Sequence, residues 1–316
     1  MSLKRSVVAG LVLAVTSTGL TAVSAFAQGE EVGGSGNTYF LSGTVDGGFN
    51  YGDSGDRVYF GDWDGDGVDT PMIRRDGQYF VRNSNSSGTA DYTFWYGNSD
   101  DVVLVGDWDG DGVDTLAVRR GGHYYVKNST TTGVADYEFW YGNSDDVVLV
   151  GDWDGDGVDT LTVRRGGHYF VKDSTTTGVA DYEFWYGNSD DIVLVGDWDG
   201  DGVSTLTVRR GITYYVKNST TTGVADYEVS YGNATDTAFA GDWNGDGSDT
   251  VGLRRPPVVT TPPASSKPAN PGDTKNCGDF RTHAEAQAWF DTYYPWYGDI
   301  AKLDNNNDGV ACESLP

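Results

Sequence analysis

Apolar and aromatic residues fall in short runs along this chain, and stretches rich in Gly, Asp and Thr separate them. One stretch shows the pattern. Gly122-His-Tyr-Tyr-Val-Lys-Asn128 is followed by Tyr137-Glu-Phe-Trp-Tyr141, then Val147-Val-Leu-Val150, then Thr160-Leu-Thr-Val163. Each run has the length of a β-strand and is bounded by turn residues. The set recurs with a fixed period, because Gly-Asp-Trp stands at 61, 106, 151, 196 and 241. Four strands in about 45 residues is the size of one blade of a β-propeller. The pattern therefore predicts an all-β, five-bladed ring over residues 38–255, with one blade per unit. A stacked β-solenoid is the alternative. The first unit starts near Thr38 and has a connection about five residues shorter than the others. The last unit ends near Leu253.

Composition narrows the function. The 316 residues include 47 Asp+Glu against 21 Lys+Arg, for a formal charge of −26. Such a chain repels polyanions, which disfavours nucleic acid and anionic membrane surfaces as partners. With 10 Trp, 20 Tyr and 12 Phe it is too aromatic for a disordered acidic chain. Residues 1–27 read as a secretory signal. Lys4 and Arg5 precede an apolar stretch from Val7 to Val15, and Ala25-Phe-Ala27 supplies a cleavage site. A membrane anchor is the other reading of that stretch; no later segment is apolar enough to span a bilayer. Residues 28–37 form a short N-terminal segment. Near-equal units also argue against catalysis, which needs residues in unequal roles.

The loop after each Gly is acidic. The first reads Asp62-Trp-Asp64-Gly-Asp66-Gly-Val68-Asp69. Carboxylates at positions 1, 3 and 5 with Gly at 6 aim several oxygens inward, position 7 can add a backbone carbonyl, and Ca²⁺ takes six to eight oxygens. Equivalent sets are Asp107, Asp109, Asp111, Val113 and Asp114; Asp152, Asp154, Asp156, Val158 and Asp159; Asp197, Asp199, Asp201 and Val203; and Asp242, Asn244, Asp246, Ser248 and Asp249. Asp-Gly hairpin turns without metal are the plainer reading, yet a turn does not require the earlier carboxylates. Zinc is disfavoured, because the loops hold neither His nor Cys.

These units resemble the FG-GAP/VCBS-type propeller repeats of bacteria, and the resemblance covers residues 38–255. It implies calcium in the five loops. One departure stands out. The family commonly has a carboxylate at position 9, where this chain has Thr70, Thr115, Thr160, Thr205 and Thr250. If the Asp at position 8 completes the shell instead, the fourth loop, with Ser204 there, should be among the weakest, and Asn244 weakens the fifth.

Other repeated residues have structural readings. In each Arg pair (74–75, 119–120, 164–165, 209–210, 254–255) one member should offset Asp charge while the other faces solvent. Trp63, Trp108, Trp153, Trp198 and Trp243 should pack between blades. Trp95, Trp140 and Trp185 give way to Asn50 and Ser230 in the end units, so they could line an exposed glycan-stacking groove. His123 and His168 lack counterparts elsewhere, which argues against a shared catalytic role.

Residues 256–276 are a Pro/Thr/Ser linker. Residues 277–316 form a small module. Thr282-His-Ala-Glu285 is a capping box opening a helix that Pro295 should end. Ala286, Trp289, Phe290 and Tyr293 lie on its core face. The loop Asp304-Asn-Asn306-Asn-Asp308-Gly309-Val310 repeats the same oxygen spacing. A Cys277–Cys312 disulfide would close about 36 residues and contribute roughly 4 kcal/mol; two free thiols are the alternative, disfavoured in an oxidising compartment. Asp304, Asn306, Asp308, Gly309, Cys312 and Glu313, with Cys277-Gly-Asp-Phe280, resemble the excalibur domain, an extracellular calcium-binding module of bacteria. The resemblance implies a metal loop there, with Glu313 the less secure ligand.

The reading is a secreted, non-enzymatic calcium-binding protein of the bacterial surface or surroundings. Its propeller would present a multivalent face to a cell-envelope, matrix or glycan ligand. A lectin is the alternative, and a secreted hydrolase or nuclease a third.

Overall fold

The computed structural model describes residues 29–44, 48–257 and 267–316. The expected signal at residues 1–27 lies outside the described residues. So do residues 258–266 of the expected linker. Two compact units divide at Pro257–Val258. Among the described residues, no helix is long and apolar enough to cross a membrane.

The first unit is a ring of five four-stranded antiparallel blades. Strands β1 (Thr38–Leu41) and β2 (Phe49–Asn50) come first in the chain. Blade 1 follows with β3 (Arg57–Gly61), β4 (Thr70–Arg75), β5 (Gln78–Val81) and β6 (Tyr92–Trp95). Blade 2 holds β7 (Val102–Gly106), β8 (Thr115–Arg120), β9 (His123–Lys127) and β10 (Tyr137–Trp140). Blade 3 holds β11 (Val147–Gly151), β12 (Thr160–Arg165), β13 (His168–Lys172) and β14 (Tyr182–Trp185). Blade 4 holds β15 (Ile192–Gly196), β16 (Thr205–Arg210), β17 (Thr213–Lys217) and β18 (Tyr227–Ser230). Blade 5 combines β19 (Thr237–Gly241) and β20 (Thr250–Arg255) with β1 and β2, in the order β19-β20-β1-β2.

This order corrects the expectation of one blade per sequence unit. A unit's first two strands finish one blade, and its last two begin the next. Spacing fixes the period of a repeat but not its phase. The phase is set by the pairing that closes the ring, from Thr38 opposite Arg255 to Leu41 opposite Gly252.

Burial falls from the axis outward. The innermost strands, such as Val102–Gly106, are buried at four consecutive positions, as a strand covered on both faces must be. The third strands alternate, and the outermost bury little more than one aromatic each. The cores lie between blades. Trp63, Tyr79 and Phe94 of blade 1 pack with Val103, Val105, Leu116 and Val118 of blade 2. Trp153, Tyr169 and Phe184 meet Val193, Val195, Leu206 and Val208 in the same way. The repeated Trp of Gly-Asp-Trp is thus inter-blade packing.

Each blade is tied to the next at both ends. At one end the position-8 side chain accepts the first amide of the preceding loop. Asp62 N–H donates to Asp114 Oδ2 (2.8 Å), Asp107 N–H to Asp159 Oδ2 (2.9 Å) and Asp152 N–H to Ser204 Oγ (3.1 Å). Asp197 N–H donates to Asp249 Oδ2 (2.7 Å), and Asp242 N–H to Asp69 Oδ2 (2.9 Å), which closes the circle. The glycine of Gly-Asp-Trp makes room for this approach. A Cβ on Gly106 would stand 2.8 Å from Asp159 Oδ2 and 2.9 Å from a Val150 methyl.

At the other end the first Arg of each pair is the tie, and the expectation that one member faces solvent is corrected. Arg74 donates to the Asp101 and Asn98 carbonyls, Arg164 to those of Asn188 and Asp191, and Arg209 to those of Asn233 and Asp236. Carbonyls turned toward the interface draw the guanidinium inward, because only a multi-donor group satisfies them together. The second members carry the charge pairing: Arg120 with Asp101, Arg165 with Asp146, Arg210 with Asp191 and Arg255 with Asp236.

Residues 29–37 cross the inner strand edges. Val105 N–H donates to the Gly29 carbonyl, and Val32 pairs with Val58. Arg254 grips the Val32, Gly36 and Asp56 carbonyls.

The smaller unit has a helix, α1 (His283–Tyr297). Thr282 Oγ1 accepts from Glu285 N–H, while Glu285 reaches back to Arg281 N–H, one residue before the N-cap. Pro295 does not end the helix. It sits inside the last turn, and Gly298 at φ 68° is the C-cap. Its ring forfeits the bond to the Asp291 carbonyl, and only Trp296 and Tyr297 follow it before the cap, so little helix lies beyond the break. Ala286 and Phe290 pack with Ala301, Leu303, Ala311 and Cys312; Trp289 is half-buried against them, and Tyr293 lies against Trp289 with its ring tilted by 45°. Cys277 and Cys312 are disulfide-bonded.

Ring closure makes Arg254 the most exacting of the Arg ties. Arg254→Ala should cost about 3 kcal/mol or more, since several buried carbonyls lose their donor. Arg255→Ala, at a partly exposed ion pair, should cost about 1 kcal/mol. Chemical denaturation of both variants measures the difference; equal losses would show that the Arg254 tie is dispensable.

Candidate metal centres

The acidic loops share one construction. Asp62 accepts from Gly65 and Asp66 N–H through Oδ1 and from Gly67 N–H through Oδ2, at 2.8, 3.2 and 2.8 Å. Val68 N–H donates to Asp66 Oδ1. Gly65 and Gly67 have φ of 73° and 82°, so only glycine reverses the chain here without strain. Asp107, Asp152 and Asp197 hold their loops likewise, and Val113, Val158 and Val203 N–H bond to Asp111, Asp156 and Asp201.

In the first four loops one oxygen of each Asp lies within 4.8 Å of the other two: Asp62, Asp64 and Asp66; Asp107, Asp109 and Asp111; Asp152, Asp154 and Asp156; Asp197, Asp199 and Asp201. This oxygen-only set suits a hard divalent cation. The fifth loop differs. Asn244 turns its amide onto Asp246 Oδ2 at 3.0 Å, Asp242 embraces Gly245 and Gly247 N–H, and Ser248 N–H bonds to Asp246.

Crowding shows in the carboxyls. Burial, then the Asp66 and Asp62 charges, push Asp64 above the usual range. Burial, Asp111 and Asp107 do the same to Asp109. Burial and Asp156 do it to Asp154.

At position 8 the side chains of Asp69, Asp114, Asp159, Ser204 and Asp249 each turn one oxygen to the neighbouring blade's first loop amide. Burial raises Asp114 and Asp249 to about 7. It raises Asp69 and Asp159 as well, and the Asp114 charge adds to both.

Sequence reasoning missed a residue beside each of the first four loops. Asn83, Asn128 and Asn218 donate Nδ2 to Asp64, Asp109 and Asp199 Oδ2, each at 2.7 Å. Blade 3 has Asp173 there. Burial, then Asp154, Asp181 and Asp156, push its carboxyl up to about 6. The signal was present in the repeat, as Asn recurring just after the third strand with one Asp exception.

The tail loop follows the same plan. Asp304 accepts from Asp308 N–H (3.3 Å) and Gly309 N–H (2.8 Å), and Val310 N–H donates to Asp308. Asn306 Nδ2 bridges Asp308 and Glu313, at 2.8 and 3.4 Å, which places Glu313 beside the loop.

The comparisons address the tail directly. The Excalibur calcium-binding domain model matches residues 274–313. No curated protein matches the chain. Two similar solved structures are the crystal structure of BBS1N in complex with ARL6DN, soaked with lead, and that of TcdB2-TccC3. The first is 15% identical, with a TM-score of 0.32, covering 55% of each chain. The second is 12% identical, with a TM-score of 0.35, covering 63% of this chain and 14% of that one.

Two outcomes are expected. In the folded state Asp173, Asp114 and Asp249 favour their protonated forms. Their contribution to stability is complete below the unfolded pKa and is lost as pH rises through about 6 to 7. Asp101, Asp146, Asp191 and Asp236 have the opposite sign. Against a burial penalty, their Arg partners hold them low, so their contribution is lost in acid. In chelator, melting temperature should therefore peak at mildly acidic pH and fall toward pH 8, and Asp114→Asn with Asp249→Asn should flatten that fall. A melting temperature rising steadily to pH 8 would refute this. With calcium, Asp173→Asn should weaken one site about tenfold in calorimetric titration, through the lost ligand charge; unchanged isotherms would remove Asp173 from the site.

Proposed function

We propose that the chain is a secreted, non-enzymatic calcium-binding protein whose FG-GAP/VCBS-type propeller serves as a multivalent binding scaffold. One observation carries this reading. The same loop, a first Asp embracing the amides that follow it, stands in every blade junction and again in the unrelated tail fold. The Excalibur match makes calcium the ion to expect in the tail, and the shared construction extends it to the propeller. Six divalent ions would offset nearly half of the formal charge of −26. Binding to the folded state alone stabilises it by mass action. Asp62, Asp64 and Asp66, with their repeats, and Asp304, Asp308 and Glu313 would supply the oxygens.

A lectin is the second reading. Trp95, Trp140 and Trp185 are each about half exposed on outer strands, and His123 and His168 stack on two of them at 4.0 Å. Rings held flat in this way suit the apolar face of a sugar. A glycan array in calcium tests it, and a flat profile would end it.

The main test is calorimetric. Calcium titration should give several equivalents, and melting temperature should rise steeply from chelator to excess calcium. Saturation of the tail alone, with an unshifted propeller transition, would restrict calcium to the Excalibur module.

A further inference from the structure

The ring is five-fold in plan but not in detail, and one junction is open. At four junctions the connection between the third and outermost strands of one blade lies over the outermost strand of the blade before it. Its hydroxyl accepts an edge amide. Trp95 N–H donates to Thr132, Trp140 N–H to Thr177, Trp185 N–H to Thr222 and Asn50 N–H to Ser87, each at 3.0 Å. At three of these junctions a small apolar residue of the same connection packs beneath, namely Ala135, Ala180 or Ala225.

The corresponding connection of blade 5 is shorter. Its flanking residues Thr38 and Asn50 are 12 positions apart, against 17 for Thr213 and Ser230 in blade 4. Every position of β18 is exposed. Val229 is 46% exposed, whereas its counterparts Phe94, Phe139 and Phe184 are at most 3% exposed. Among the described residues no group accepts from Ser230 N–H. Behind the strand lies a cavity of about 260 Å³ lined by Trp198, Thr207, Tyr214, Tyr227, Val229 and Tyr231. Thr207 Oγ1 and Trp198 Nε1 face this region without partners, as Thr162 Oγ1 and Trp153 Nε1 are at the closed junction of blade 3, so the exposed strand rather than these atoms sets the junction apart.

We propose that this junction takes an extended peptide segment of a partner chain, laid along β18 where the connection lies at the other four junctions. The four closed junctions define the occupant. It is a neutral segment with a hydroxyl to accept from Ser230 N–H and an Ala-sized side chain to cover Val229 and Tyr231. An unpaired strand edge with a small apolar slot is the arrangement used in strand addition. The surrounding negative charge disfavours an acidic segment. The proposal deepens the scaffold reading and rests on it.

The probe is a blocked peptide, Ser-Thr-Thr-Thr-Gly-Val-Ala, copying residues 129–135 of this chain. It is titrated into the ¹⁵N-labelled full chain in calcium, and amide shifts are followed. Saturable shifts at Val229, Ser230 and Tyr231 are expected. They should vanish in Ser230→Pro, which removes an outward-facing donor and leaves the ladder intact. They should also vanish in a variant whose connection after Leu41 is lengthened by five residues. A folded, calcium-loaded protein with no shift at β18 overturns the peptide site and leaves calcium binding standing, because calorimetry reads that separately. Shifts at β18 with neutral monosaccharides but not with the peptide overturn it as well. So do peptide shifts that survive both variants.

Discussion

A ring of blades closes only if every junction has the same width, and the bond that sets this width joins a position-8 oxygen to the first amide of the preceding loop. The bond occurs five times, from Asp62 with Asp114 round to Asp242 with Asp69. Much of the repeat follows from it. The glycine before each Asp-Trp is there because any Cβ would strike the incoming side chain. The Trp fills the space alongside. A hydroxyl suffices at Ser204, since an acceptor is what the geometry needs and a charge is not. The Arg ties answer at the other end of each junction, so a blade cannot tilt without breaking bonds at one end or the other.

The same arrangement concentrates charge. Four carboxylates at position 8 and the first Asp of each loop share the loop end of the ring, which is why burial and mutual repulsion push Asp69 and Asp159 upward. A protein can leave such groups protonated or supply counter-charge. The acidic triplets sit beside them with oxygens already gathered, their first Asp held by three backbone amides. Those amides orient the loop but leave the charge in place, and a divalent cation is the natural complement. The closure bond and the acidic triplet thus share one peptide segment, position 1 to position 8.

The period, the strand runs, the blade count and the tail disulfide were legible in the chain, because each is a matter of spacing or composition. What was not legible depends on which neighbour a side chain meets. Asp69 looks like the eighth residue of its own loop, yet it serves the loop of another blade 173 residues away. Arg74 and Arg75 are adjacent in sequence and face opposite demands, interface carbonyls and the Asp53 and Asp56 carboxylates. The phase of the blades was hidden because Thr38–Leu41 pairs with a strand more than 200 residues later. Pro295 misled for a local reason: a breaker in the final turn breaks almost nothing. Asn83 and its equivalents were visible as repeats, but only the fold shows them leaning on the triplets.

Where the closure constraint ends, variation begins. The inner strands, the Gly-Asp-Trp corners and the Arg ties change little from blade to blade, since an altered junction would leave the circle unclosed. The outermost strands bear no such load. There Trp95, Trp140 and Trp185 give way to Ser230 and Asn50, His123 and His168 come and go, Asp173 replaces an asparagine, and one connection is short. A chain that merely needed a stable ring would gain nothing from exposing Trp rings in three blades and baring β18 in a fourth. Exposed apolar surface of that kind invites association, and it is concentrated on the part of each blade that can change without reopening the ring. The surface that varies is therefore the rim, while the loops and ties that close the ring stay nearly constant.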